Sequence, residues 1–185
     1  HLTVGMGAQV AAQSGVAGDI PRGARYGGYP AQPALGWARE SALLKSLVAN
    51  PRVLKIFHYA RFDVAMIQQW LGAPCFPVYC TKIASRLART YTDRHGLKDL
   101  SRELLNLDMS KAQQSSDWGA DMLSDAQLAY AASDVTHLHE LKAKLDVMLA
   151  REGRTELAQA CFDFLPVRAA LDLSGWAEQD IFAHS

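Results

Sequence analysis

Acidic residues are scarce at the start of this chain: the first fifty positions hold only Asp19 and Glu40. A site for two divalent cations roughly 4 Å apart needs about four carboxylates, so that stretch offers no paired set. Long apolar runs are missing as well. None reaches the ~20 residues of a membrane-spanning helix, and the first twenty residues have no basic flank ahead of an apolar stretch. No membrane association is expected, and the cytoplasm is the expected compartment. Charge of either sign is not in excess, because 19 Lys and Arg balance 19 Asp and Glu. That excludes the global basic footprint of proteins that bind long duplexes, so any nucleic-acid contact is local or the ligand is short. Cysteine is sparse: Cys75, Cys80 and Cys161 form no even framework and lack zinc-site spacing, and buried thiols in a reducing compartment are expected.

The 185 residues suffice for one domain with a full core, since 49% of them are apolar. Composition nevertheless shifts near residue 36. Residues 1–36 hold eight of the 13 glycines and three of the seven prolines, a poor recipe for strands or helices. We therefore separate an atypical segment, 1–36, from an α/β domain, 37–185. In the latter, 41–48 has helical spacing that stops at Asn50-Pro51, because a residue before proline is pushed out of the helical region. Val53–His58 reads as a buried strand, Phe62–Leu71 as a helix ended by Gly72, and Pro77–Cys80 as a second strand. Helices are expected from about Lys82 to Arg89 and from Leu97 to Leu105. Ser124 and Gln127 form a capping box opening a long helix to about Ala150. Its apolar stripe runs Leu128, Ala131, Val135, Leu138, Leu145 and Leu149, with a break expected near Ala132. Strands alternating with helices predict a mixed α/β layer fold.

Asp63 falls just after the first strand, on the first turn of the next helix, where rigid elements deliver its carboxylate to the sheet edge. An acid there is also what the helix macrodipole favours. Tyr130 and Asp134 lie four apart on one helix face. That spacing lets a carboxylate hold a metal while the phenol reaches a bound water or a phosphate, although such pairs also occur on solvated helices. Lys82, Arg86 and Arg89, at i, i+4 and i+7, make a basic ridge that Lys98 and Arg102 extend; it reads either as a solvated face or as a phosphate track for a short strand. His95 reads as a turn or capping residue. His137 and His139 face different ways on a helix and are rejected as a metal pair.

Between these residues run Thr81-Lys82-Ile83-Ala84-Ser85-Arg86, His95-Gly96-Leu97-Lys98-Asp99-Leu100 and Lys111-Ala112-Gln113-Gln114-Ser115-Ser116-Asp117-Trp118, followed by Gln127 to Val135. In this order they resemble the ribonuclease D family of 3′→5′ exonucleases, in the branch whose four acids are joined by a tyrosine. The resemblance is nearest the small single-domain members, including those that degrade very short RNAs, and covers the chain from about Ser41 onward. It implies a ribonuclease H-like fold and hydrolysis of RNA from the 3′ end to nucleoside 5′-monophosphates with two divalent cations, Mg²⁺ or Mn²⁺. It implies that Asp63 and Asp134 hold metal, Asp63 largely through water, and that Tyr130 orients the nucleophilic water. His58, Lys82, Arg86 and Lys98 are the candidate substrate contacts, and Phe62 is expected in the core.

One motif of that family is not found. Relatives carry Asp-x-Glu on the first strand, and spacing from Asp63 puts it near Val4 to Met6, where no acid stands; Asp19 is a candidate stand-in with no acidic partner two residues on. Loss of that pair implies an impaired enzyme, and the alternative is a catalytically inactive nucleic-acid-binding or structural remnant of the same fold. Leu171, Leu173, Trp176, Ile181 and Phe182 leave an apolar C-terminal tail, from which a homo-oligomer is expected; a tail folded back on its own domain is the other reading.

Overall fold

A computed structural model describes residues 2–10, 18–27, 32–109, 115–119 and 122–184. The chain divides into two compact units, 1–47 with 119–123, and 48–118 with 124–185. The parting falls further along than the compositional step at residue 36.

The first unit is built on very short strands. β1 (Gln9–Val10) pairs parallel with β2 (Arg25–Gly27), which pairs antiparallel with β3 (Gln32–Pro33). Each parallel partner sits sixteen positions along: Val4 with Ile20, Gln9 with Arg25, Val10 with Tyr26. A constant step of this kind means that the chain completes a coil and returns beside itself. Backbone bonds tie one coil to the next, Gly5 N–H to Ile20 O at 2.8 Å and Gln9 N–H to Ala24 O at 2.9 Å. Glycine is required at position 5, since a Cβ there would lie 2.4 Å from the Arg22 nitrogen. The glycine content that argued against strands thus permits close coil stacking while keeping each strand to two or three residues. Helix α1 (Ala34–Ala49) follows and ends at the Asn50-Pro51 step.

The second unit centres on two parallel strands, β4 (Lys55–Phe57) and β5 (Val78–Cys80), in the register Lys55↔Val78, Ile56↔Tyr79, Phe57↔Cys80. Between them runs α2 (Ala60–Met66), continuing as a π-helical turn, Ile67–Leu71, which Gly72 closes in the left-handed region at φ 58°. After β5 come α3 (Thr81–Ala88), α4 (Leu97–Leu105), α5 (Asp125–Thr136), α6 (Leu138–Arg151), α7 (Thr155–Leu171) and a final turn, Asp172–Trp176. The mixed α/β class read from the sequence is observed. Helix α2 packs on α7 and α3 on α6, burying Val64, Leu100, Leu141, Leu145, Leu149 and Phe162. Phe162 meets Tyr79 with ring centroids 4.5 Å apart. Truncating Leu141 to Ala, fully buried in α6, is expected to cost about 3 kcal/mol, readable as a shifted denaturation midpoint.

Three expectations need correction. The long helix breaks at His137 (φ −98°, ψ 3°), not near Ala132. That break rotates the apolar face, so Leu128 and Val135 are exposed while Leu138, Leu141, Leu145 and Leu149 carry the core. Phe62 is exposed rather than core, because Val64 and Ala65 occupy the inward positions of so short a helix. Cys75 and Cys80 are buried thiols, but Cys161 is only half-buried.

The chain's end is tied back by charge. Asp172 accepts from Arg61 at 2.5 Å and from Arg168 at 2.6 Å. The Arg61 hydrogen bond above all holds the Asp172 carboxyl below its ordinary range, against the opposing effect of burial. A depressed carboxyl contributes stability above its unfolded pKa, and that contribution is lost as pH falls through the folded value. Asp172→Asn is therefore expected to cost about 1 kcal/mol at neutral pH. The difference in melting temperature from the parent should close as the solution is taken below the carboxylate range.

Candidate active site

Three separated segments of the second unit meet at a cleft of about 450 Å³, whose wall includes His58, Asp63, Lys98, Asp99, Tyr130 and Asp134. The first segment is the exit of β4. Tyr59 sits there in the left-handed region, φ 72° and ψ 43°, a conformation a bulky residue keeps only when its surroundings impose it. This turns the chain abruptly into α2 and places Asp63 in its first turn. Burial raises the Asp63 carboxyl above its ordinary range.

His58, on the same turn, is fixed by Thr81 at the start of α3. The Thr81 hydroxyl donates to Phe57 O at 3.2 Å, so its lone pairs accept from His58 Nδ1–H at 2.9 Å. Burial, assisted by the Lys82 charge, takes His58 down to about 4. His58 is thus a neutral imidazole at physiological pH, with Nε2 as an acceptor.

The second segment is α5. Its capping box forms as read, with Gln127 N–H donating to Ser124 Oγ at 3.3 Å. The buried Gln127 amide also donates to Ser116 Oγ at 3.2 Å and Asp117 O at 2.9 Å. This anchors the start of α5 to the loop ahead of it, where Trp118 meets the Tyr130 ring at 6.0 Å. Of the Lys111 to Trp118 string, Lys111 to Gln114 lie outside the described residues. One turn along α5, the Tyr130 phenol donates to Asp134. Burial, then the Asp134 charge, raises Tyr130; burial raises Asp134 against the pull of that same hydrogen bond. The phenol stays protonated, and no cation pairs with the Asp134 carboxyl among the described residues.

The third segment opens α4, where Lys98 and Asp99 reach the wall. Lys98 Nζ pairs with Asp108 at 3.6 Å, and Asp99 pairs with Arg102 at 2.7 Å. Asp99 is a third carboxylate of the cleft that reading the residues did not single out; its place beside Lys98 in the His95 to Leu100 string was the available signal. Among the described residues no three His, Cys, Asp or Glu gather as a metal cage. Asp19 spends its Oδ1 on Thr3 N–H at 2.7 Å.

The predicted basic ridge does not form as one surface. Lys82 and Arg86 line a separate cavity. Arg89 is fully buried, held by Glu103, Ser85 Oγ and Arg94 O, because one further turn of α3 carries that position inward. His95 bonds Ser85 Oγ at 2.9 Å in the turn before α4.

A family model described as 3′-5′ exonuclease matches residues 31–150. Ribonuclease D of Acidiphilium cryptum is 40% identical over 115 residues, 62% of this chain and 29% of that protein. The matched region is thus under a third of the length of that curated relative. The structure of Brucella melitensis NrnC is 60% identical with a TM-score of 0.75, covering 77% of this chain and 69% of that one. The same nuclease has been solved with bound Mg²⁺ and bound to pGG, at 58% and 59% identity. A 52-residue stretch, 28% of this chain, is 52% identical to UDP-3-O-acylglucosamine N-acyltransferase of a Methylobacterium species and covers 15% of that protein.

Proposed function

The chain belongs to the 3′-5′ exonuclease family, with its ribonuclease H-like fold, and from that premise we propose that the second unit hydrolyses RNA from the 3′ end to nucleoside 5′-monophosphates. Short single-stranded oligoribonucleotides are the proposed substrates, a reading supported by likeness to a nuclease solved with pGG. The observation that carries it is the meeting of Asp63, Tyr130 and Asp134 in one cleft.

Asp63 and Asp134 offer the hard oxygen donors that Mg²⁺ or Mn²⁺ takes, and one or two carboxylates completed by water suffice for one such ion. When bound, that ion supplies charge neutralisation at the scissile phosphate and an activated water. The family pattern calls for two ions, and the described residues do not fit the second: Asp63 and Asp134 cannot balance four positive charges, Asp99 is held by Arg102, and no larger cage forms among the described residues. The chain's own groups have definable parts. The Tyr130 phenol, its O–H donating a hydrogen bond to Asp134, keeps lone pairs with which to accept from and orient a water. Lys98 brings positive charge to the wall for a phosphate, and His58 offers a neutral acceptor.

The carboxylate deficit favours a second reading, an RNA-binding remnant without turnover. Calorimetric Mn²⁺ titration beside a 3′-trimming assay on a short RNA separates the two. The nuclease reading expects one ion per chain, lost in Asp134→Asn, and slow trimming that Tyr130→Phe lowers by at least about tenfold. RNA binding with no trimming at any Mn²⁺ concentration would reject it in favour of the remnant.

The compartment and assembly belong to the same proposal. Three free thiols support a reducing cytoplasm, and no helix among the described residues is long and apolar enough to cross a membrane. Leu173, Trp176, Ile181 and Phe182 are exposed on the tail, which supports a homo-oligomer formed through it, although Phe182 meets Phe164 at 6.1 Å. Sedimentation of a monomer, unchanged on deleting residues 171–185, would reject that assembly.

A further inference from the structure

A second cavity, about 550 Å³, opens among α2, α3 and α7 and shares no lining residue with the cleft. Four cations line it, Arg61, Lys82, Arg86 and Arg168, and no carboxylate does. Arg61 and Arg168 already share Asp172 and donate to the carbonyls of Ala177 and Trp176. Lys82 and Arg86 have no carboxylate partner among the described residues. Lys82 Nζ instead stands 4.4 Å from the centre of the Tyr59 ring, the residue held in the left-handed region. Like charges gathered in a concavity repel one another, and an anion relieves that repulsion while focusing in the positive potential. Lys82 and Arg86 have free donors of the kind that bind phosphate through charge-assisted hydrogen bonds. The rest of the wall, Tyr59, Ile83, Phe164 and Leu165 with the thiols of Cys80 and Cys161, is largely apolar and aromatic, suited to the face of a base.

We propose that this cavity binds a terminal phosphate carrying a nucleobase, with Lys82 and Arg86 on the phosphate. The source is either a free nucleoside monophosphate or the phosphorylated end of a short oligonucleotide. The proposal does not rest on the nuclease reading, because the two sites have no residue in common. The test is calorimetric titration of inorganic phosphate, AMP and pGG into the full chain without divalent metal. AMP or pGG should bind, and Lys82→Ala with Arg86→Ala should weaken binding by at least about tenfold. Lys82→Arg with Arg86→Lys should restore it, and Asp134→Asn should change it less than about twofold. If the double alanine variant fails to fold, Arg86→Gln at its exposed position must alone weaken binding by at least about threefold. Binding of AMP alone, or of pGG alone, supports the proposal and names the source. No binding at about 10 mM, binding of inorganic phosphate as tight as that of either nucleotide, or binding that survives loss of Lys82 and Arg86 but not of Asp134, overturns it.

A different observation carries a second inference. The nuclease family model begins at residue 31. The coil with a sixteen-residue step lies in residues 1–47, most of it ahead of that model. We infer that residues 1–47 are a stacked-coil unit separate from the nuclease fold, standing where the nuclease pattern has its first acidic strand. Hydrogen exchange on the full chain tests this. The amides of Gly5, Gln9, Ile20 and Gly23, which bond from coil to coil, should lose protection together, in a step apart from Ile56 and Tyr79 of the nuclease strands. Loss in one common step would show an integral part of the nuclease fold and overturn the inference.

Discussion

Replacing residues 1–33 with a strand pair that carries Asp-x-Glu is expected to raise 3′-end trimming of a short RNA at least about a hundredfold over the chain as it stands. Asp63 and Asp134 bring two negative charges to a site whose family chemistry uses two divalent ions, so the second ion should fail first as carboxylates are removed. Groups that act as a unit are not additive, and loss of one part removes nearly the whole rate. Asp134→Asn in the repaired chain should therefore return it to background, while its fold, read by circular dichroism, stays intact. The unrepaired chain should bind no more than one Mn²⁺. Robust trimming by the unrepaired chain, stopped by Asp63→Ala, would show instead that another acid such as Asp19 completes the cage.

Removing Glu103 is the other change with a large expected effect, here on stability. Arg89 is fully buried, and Glu103 is its only carboxylate partner among the described residues. The Arg89 bond is the main reason the Glu103 carboxyl lies below its ordinary range. Glu103→Ala leaves a buried cation at the C-terminal end of α3 with Ser85 Oγ, Arg94 O and the Tyr91 ring as its remaining contacts among the described residues. Deleting one partner of a buried pair costs about 3 kcal/mol at the low end of the usual range, and the half-exposed carboxylate argues for that end. A chain of this size should then melt about 6–12 °C lower. Arg89→Met made together with Glu103→Ala should recover most of the loss, since an apolar side chain of similar length leaves no charge to compensate. Recovery of less than half would show that the Ser85 and Arg94 contacts, rather than the ion pair, hold α3.

The second unit was legible because its signals are local. Alternating apolar runs, Gly72 as a C-cap, and the Ser124 to Gln127 box each specify an element from a few adjacent residues, and all three are found in place. For Asp63, Tyr130 and Asp134 the strand exit and the helix spacing left bland readings open, and the ordered motifs between them, which resemble the ribonuclease D family, singled them out. What escaped depends on contacts distant in sequence. The break at His137 redirects an apolar stripe that looks continuous on paper, and Arg89 turns inward to a glutamate fourteen positions on. Pro166 lies inside α7, so proline is no reliable stop where the surrounding turns are already buried against α2. The coil of the first unit was hidden because its glycines signal turns, whereas the sixteen-residue recurrence appears only in the pairing.

The nuclease strands β4 and β5 form a sheet of two, and that has a consequence for handling the protein. Each strand has a ladder on one side only, so its other row of amide and carbonyl groups lacks a strand partner among the described residues. Open edges of this kind recruit strands from other molecules unless they are short, charged or covered. Here the first two protections are partly present: each strand is three residues long, and β4 begins at Lys55, whose ammonium is occupied by the carbonyls of Asn50 and Phe76 at 2.9 and 2.6 Å. Self-association through these edges should accordingly be weak at working concentrations and should grow on partial denaturation, when the helices that flank the pair loosen first.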